Sequence, residues 1–171
     1  MWQKGLVKMN NKARSLAETK ARRQVITKSR AKDKVLELAF TNFGVHLTLD
    51  GYQGDASKLN DFKLVYKVLD ELPTKLGMHK LMPPYVVTAP GNDKKDPGGI
   101  SGFVMIAESH ISIHTFPGKK FVSIDVYTCQ DRLAATRIIN YFKDVFELQD
   151  VETNVVKRGM KFPVYCLTDE Y

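Results

Sequence analysis

The stretch Ala107-Glu108-Ser109-His110-Ile111-Ser112-Ile113-His114-Thr115-Phe116-Pro117 packs three hydroxyls, two imidazoles and a carboxylate into eleven residues. Ile111 and Ile113 alternate with His110, Ser112 and His114, the two-residue period of a half-buried strand. A strand face this polar either lies in solvent or lines a site. Upstream, Gly98-Gly99-Ile100-Ser101-Gly102 leads into the apolar run Phe103 to Ala107, which reads as a buried strand. Downstream, Phe121 to Cys129 alternates again and ends on a thiol. Pro117-Gly118-Lys119-Lys120 reads as the turn of a hairpin that brings Cys129 back towards the Ser109–His114 strand.

These residues stand at fixed separations. Ser101, Gly102, Glu108, Ser109, His110, His114, Thr115, Pro117, Asp125, Tyr127, Thr128 and Cys129 meet, without a gap, the pattern Ser-Gly … Glu-Ser-His-(x)3-His-Thr-Trp-Pro … Asp-x-(Phe/Tyr)-Thr-Cys. In this the chain resembles the short, prokaryotic form of the S-adenosylmethionine decarboxylase family, whose members make their own pyruvoyl cofactor. The resemblance runs over about residues 44 to 141 and is sharpest from 101 to 129.

The resemblance implies a chemistry for each matched residue. A serine hydroxyl is a weak nucleophile that needs activation and a polarised or strained peptide to attack. Ser109 would attack the carbonyl of Glu108, and the chain would then part between 108 and 109. Ser101 would help hold the oxyanion, and His114 would carry the proton near neutral pH. Ser109 would lose its amine as ammonia and become a pyruvoyl group. A substrate amine would condense with that ketone to a Schiff base, which takes up the electrons released as CO2 leaves. Cys129 matches the family's catalytic cysteine and suits a general acid that reprotonates the α-carbon.

Blander readings apply to the same residues. Cys166, with no motif around it, reads as packing, and His46 as a sheet-face histidine with no assigned role. His110 and His114 do not read as metal ligands. Four residues along a strand span about 13 Å, too far for two ligands bound to one ion at about 2 Å. A hydrolase built on Cys129 and His114 leaves the Glu108-Ser109 match unexplained. A non-catalytic binding module with a basic arm is the other alternative.

The chain departs from the family pattern where the substrate would be read. The loop before Ser101 usually reads His-x-Phe-x-Pro-x-Gly-Val-Ser-Gly, its Phe stacking on adenine; here Asp93 stands for the His and Lys95 for that Phe. The usual Trp-Pro-Glu is Phe116-Pro117-Gly118, without the Glu that grips the ribose. An aromatic stack and a carboxylate contact are each worth roughly 1–3 kcal/mol. The favoured expectation is therefore a self-processing decarboxylase of polyamine synthesis acting on a basic amino acid, L-ornithine or L-arginine. S-adenosylmethionine is the alternative. Asp93, Asp96 and Asp125 are candidates for the substrate's distal cation, with Lys95 and Phe116 also beside it.

The rest of the chain frames this block. A length of 171 residues suits one domain with a real core. No run approaches the eighteen or more apolar residues of a membrane span, and no hydrophobic leader is expected. Cys129 and Cys166 are no disulfide framework, so a reducing cytoplasm is the expected compartment. Of the net charge of +7, residues 1 to 34 carry +9, leaving fifteen basic against seventeen acidic side chains in the remainder. That segment reads as a basic, disordered extension, and a nucleic-acid or transit role is not favoured.

A single domain is expected from 35 to 171. Its predicted elements are a strand at 44–50, a helix from Ala56 or Ser57 to Pro73, and a strand at 85–88. The central hairpins follow, then a helix from about Asp131 to Leu148 and strands at 151–157 and 162–167. Long helices on one face of a mostly antiparallel sheet make a two-layer α+β sandwich. The resemblance implies the same architecture, with two units meeting in a dimer.

Overall fold

The structure, a computed structural model, describes residues 40–92 and 95–163. The basic segment 1–34, Asp93 and Cys166 lie outside the described residues. Asn42–Lys161 forms one compact unit. In the second unit, β1 (Phe40–Thr41) pairs antiparallel with β8 (Phe162–Pro163). The predicted strand at 162–167 is thus described only for its first two residues.

Alternating sequences make the sheet of the larger unit. Its strands are β2 (Gly44–Tyr52), β3 (Tyr85–Pro90), β4 (Gly98–Ile106), β5 (Ser109–Phe116), β6 (Phe121–Thr128) and β7 (Asp150–Arg158). They lie in the order β3-β4-β5-β6-β2-β7, every pair antiparallel. Alternation puts Leu47, Leu49, Val104, Ile111, Ile113, Ile124 and Val126 on one face, all buried. Burying such side chains contributes about 1.5–3 kcal/mol apiece.

Two helices cover that face. On α2 (Phe62–Lys75) the buried Val65, Val68, Leu69 and Leu72 recur at helical spacing. On α3 (Ala135–Phe146) the buried stripe is Ile138, Phe142 and Phe146, with Ala135, Ile139 and Val145 packed partly against the core. Gly102 sits under α2, where an added Cβ would come within 2.9 Å of both the Leu69 and Val86 side chains. The expected two-layer α+β sandwich is the observed fold. No described helix is long and apolar enough to cross a membrane.

The first predicted helix is two. A short α1 (Ala56–Leu59) ends at Asn60, and the chain restarts at Asp61. Asp61 is extended and accepts hydrogen bonds from the amides of Lys63 and Leu64 at 2.9 and 3.0 Å, so its side chain opens α2. Nor does Pro73 end that helix. Gly77, at a φ of 72°, does, with its amide on Thr74 and the amide of Met78 on Pro73. The other helix starts later than expected, with 131–134 outside it and no side chain capping Ala134, and Glu147 ends it in the left-handed region.

Candidate active site

The fold turns tightly at Glu108. β4 and β5 are a hairpin with Ile106 opposite Ser109, so Ala107-Glu108 is the connection and β5 starts at Ser109, where the predicted Ser109–His114 strand starts, running two residues further. Ser109 has a φ of 146°, an angle that residues with a side chain rarely adopt. Such conformations cost on the order of 1–3 kcal/mol and persist only where surrounding contacts hold them. β6 runs on the other side of β5, with Thr128 opposite Ser109. Cys129, one residue on, donates its amide to the carbonyl oxygen of Glu108 at 2.7 Å. Its thiol is free and exposed. The carboxylate of Glu108 accepts from the amide of His79 at 3.1 Å and lies 3.0 Å from His79 Nδ1. The His79 hydrogen bond holds this carboxyl below its ordinary value of 4.5.

Ser101 and His114 form a second cluster. They are register partners across β4 and β5, with Ser101 Oγ 3.0 Å from His114 Nδ1. His114 lies five positions beyond Ser109 on one strand, a separation of about 17 Å. One copy of the chain therefore brings Glu108, Ser109 and Cys129 together, and Ser101 with His114, but not the two groups with each other.

Both Ser101 and His114 lie on the sheet face away from the helices, beside a polar network. His46 Nε2 and Asp125 Oδ1 are 2.8 Å apart, and the Ser112 hydroxyl donates to Asp125 Oδ2 at 3.4 Å. The Tyr127 ring lies 5.5 Å from His46, 5.7 Å from His110 and 4.7 Å from the Arg158 guanidinium. Around these polar groups the face exposes Tyr85, Val87, Phe103, Met105 and Val156.

A cavity of about 410 Å³ is lined by Asn92, Lys95, Asp96, Phe116, Lys119 and Phe121. It contains three sequence-predicted substrate residues, Lys95, Asp96 and Phe116. Its Phe116 and Phe121 rings are 5.6 Å apart at 32°. It lies at the His114 end of β5, seven residues from Ser109, so within one copy it is remote from Cys129. Asp125 stands apart from it, engaged with His46 and Ser112.

Sequence reasoning missed His79, Phe121 and the pairing of His46 with Asp125. The last needs the strand register: His46 is opposite Tyr127, which puts Asp125 on the diagonal of the same face. His79 falls in the aperiodic run 76–84 and carried no signal.

Comparison with known proteins places the chain among relatives of one kind. A family model described as S-adenosylmethionine decarboxylase matches residues 45–159. The chain is 32% identical over 117 residues to the S-adenosylmethionine decarboxylase proenzyme of Caldicellulosiruptor saccharolyticus, covering 68% of this chain and 89% of that one. It is 35% identical over 117 residues to S-adenosylmethionine decarboxylase proenzyme 2 of Halalkalibacterium halodurans, covering 68% and 87%. The crystal structure of the Aquifex aeolicus adenosylmethionine decarboxylase matches with a TM-score of 0.60 at 28% identity, over 70% of this chain and 92% of that one. Fold and relatives together define a class, the pyruvoyl-dependent carboxy-lyases made as proenzymes, whose cofactor comes from a serine. The chain belongs to the S-adenosylmethionine decarboxylase family. A strained serine, a carbonyl held by an amide and an exposed thiol beside them fit that group.

Proposed function

We propose that this chain cleaves itself between Glu108 and Ser109 and then decarboxylates S-adenosylmethionine, in a site built by two copies. The observation that carries the reading is the amide of Cys129 on the carbonyl oxygen of Glu108, beside a strained Ser109. Ser109 Oγ attacks the Glu108 carbonyl carbon, and the negative charge that develops on the oxygen falls on the Cys129 amide. The C–N bond breaks, its nitrogen takes a proton, and Glu108 is left as an ester on Ser109. Loss of the Ser109 α-proton and breakage of its Cβ–O bond release Glu108 as a new carboxylate. Water then displaces ammonia and leaves a ketone. Once formed, that pyruvoyl group supplies an electron sink for loss of CO2. The thiol of Cys129 returns a proton to the α-carbon.

The two-copy reading rests on distance. The Ser101–His114 pair and the cavity lie at one end of β5 and Ser109 at the other, about 17 Å or more away. The face that carries the pair is apolar around it, through Phe103, Met105, Tyr85 and Val87. Two such faces packed together bury these residues and bring one copy's pair to the other copy's Ser109.

The names of the relatives support S-adenosylmethionine, and so does the cavity, whose two phenylalanine rings offer a plane for adenine. A second reading, L-ornithine or L-arginine, is favoured by Gly118 and Lys95 at the positions that usually read ribose and adenine, with Asp96 in the cavity to meet a cation. We place the reaction in the reducing cytoplasm, where Cys129 stays a thiol. Intact-mass analysis of the purified protein tests the first step. Two chains, 1–108 and a blocked fragment starting at 109, are expected, with Ser109→Ala remaining one chain. An active wild type that stays whole would sink the reading.

A further inference from the structure

The segment that follows α2 makes a contact for which the serine chemistry has no evident need. After the Gly77 cap, the chain runs antiparallel beside the end of β4. The amide of Ala107 donates to the His79 carbonyl at 2.8 Å, and that of Leu81 to the Met105 carbonyl at 3.0 Å. Lys80 forms a bridge with Ile106 between them, and its ammonium pairs with Asp70. This ladder sets His79 against the Ala107-Glu108 turn. There His79 takes both oxygens of the Glu108 carboxylate, one with its amide and one with Nδ1. The carboxylate side chain is only 13% exposed, although the His79 side chain is 81% exposed.

Glu108 is therefore held at two places. Its carbonyl oxygen is fixed by the Cys129 amide and its side chain by His79, while the next residue is strained. A strained turn relaxes by rotating the peptide that joins the two residues. Holding only the carbonyl leaves the side chain free to pull Glu108 out of line; holding both does not. Correct placement within about 1 Å decides whether an intramolecular attack is fast.

We infer that His79 is a positioning residue for self-cleavage, clamping Glu108 so that its carbonyl stays aligned with both Ser109 Oγ and the Cys129 amide. The inference rests on reading Glu108–Ser109 as the bond that breaks. The contact requires a donor at Nδ1, and asparagine can offer its amide at a similar distance from the backbone, whereas alanine and phenylalanine cannot.

The test is the rate at which freshly made full-length protein converts to two chains, followed by intact mass. His79→Ala and His79→Phe are expected to process roughly tenfold more slowly than wild type, the scale of one lost hydrogen bond to a charged group. His79→Asn is expected to recover most of that loss. Melting temperatures of the same substitutions in the unprocessed Ser109→Ala background should fall by no more than Glu108→Gln costs there, and by the same amount for a slow variant as for a rescued one. Processing of His79→Ala within twofold of wild type overturns the clamp. So does an asparagine variant as slow as the alanine one, or slow processing that tracks a lowered melting temperature. If wild type is cut elsewhere or not at all, the assignment of the bond fails first, a result distinct from all of these.

Discussion

The amide of Cys129 reaches the carbonyl oxygen of Glu108 at 2.7 Å, joining the residue that ends β6 to the turn that precedes β5. Antiparallel register produces this contact: with Thr128 opposite Ser109, the next residue on one strand faces the preceding residue on the other. One residue thus offers an amide to the acyl group that would be attacked and an exposed thiol beside the serine that would be modified.

Those two roles separate on mutation. Cys129→Ala keeps the amide and removes the thiol. Processing should stay within a few-fold of wild type, whereas turnover of the processed enzyme should fall by about 10²-fold or more, the usual contribution of a positioned proton donor. Stopped-time CO2 release on protein already verified as two chains measures the second effect. Wild-type turnover in the mutant would remove the thiol from the mechanism.

The shared site makes a prediction about mixtures. Ser109→Ala and His114→Ala should each fail to mature normally alone, one for lack of a nucleophile and the other for lack of the proton carrier. Co-expressed, they should form mixed dimers in which one of the two sites has both groups intact. Differently tagged copies, purified together and weighed, should then contain cleaved His114→Ala chains. A mixture no better processed than either parent, although the mixed dimer is present, would return His114 to a role within its own copy.

Much of this geometry follows from counting along the strands. The two-residue period located β2, β5 and β6, and the five residues between Ser109 and His114 already imply their distance. The order of strands was not legible, because hydrophobic alternation marks which face is buried and not which neighbour is paired. Gly98 and Gly99 read as loop, yet they begin β4, since close backbone approach demands glycine there: a Cβ on Gly99 would sit 1.8 Å from the Thr115 carbonyl oxygen. The break at Asn60 was hidden because apolar residues continue at helical spacing across it, and only Asp61 signals the new start.

That cap gives a stability prediction. Asp61→Ala removes the acceptor for the amides of Lys63 and Leu64 and should destabilise the fold by about 1 kcal/mol. Thermal unfolding in the Ser109→Ala background, where processing cannot intrude, should show a drop of roughly 3–6 °C. An unchanged midpoint would mean that water replaces the cap without loss.

Glu108 should make the unprocessed turn sensitive to acid. Its folded pKa is depressed by His79, so the stabilisation is whole above the ordinary value of 4.5 and is lost as pH falls through the lower folded value. Ser109→Ala should therefore melt higher than Ser109→Ala/Glu108→Gln at pH 7. The gap should shrink as pH is taken down below 4.5, as the carboxyl protonates. A gap of constant size from pH 7 to pH 3 would show that charge on Glu108 does not matter to the turn.

The substrate divides on the far end of the molecule, since every candidate shares the amine and carboxylate that a pyruvoyl enzyme needs. Phe116 and Phe121 offer an aromatic surface in the cavity that neither ornithine nor arginine needs, so S-adenosylmethionine is expected to give the highest kcat/KM. Gly118 supplies no side chain to hold a ribose, which should show as a weak KM more than as a low kcat. Phe116→Ala should then cost S-adenosylmethionine roughly tenfold or more in kcat/KM, on the scale of one lost stack, while leaving ornithine or arginine turnover nearly unchanged. Steady-state rates on all three substrates, with processing verified beforehand, decide the matter. If ornithine or arginine is preferred and Asp96→Asn abolishes that preference, the cavity reads a distal cation through Asp96.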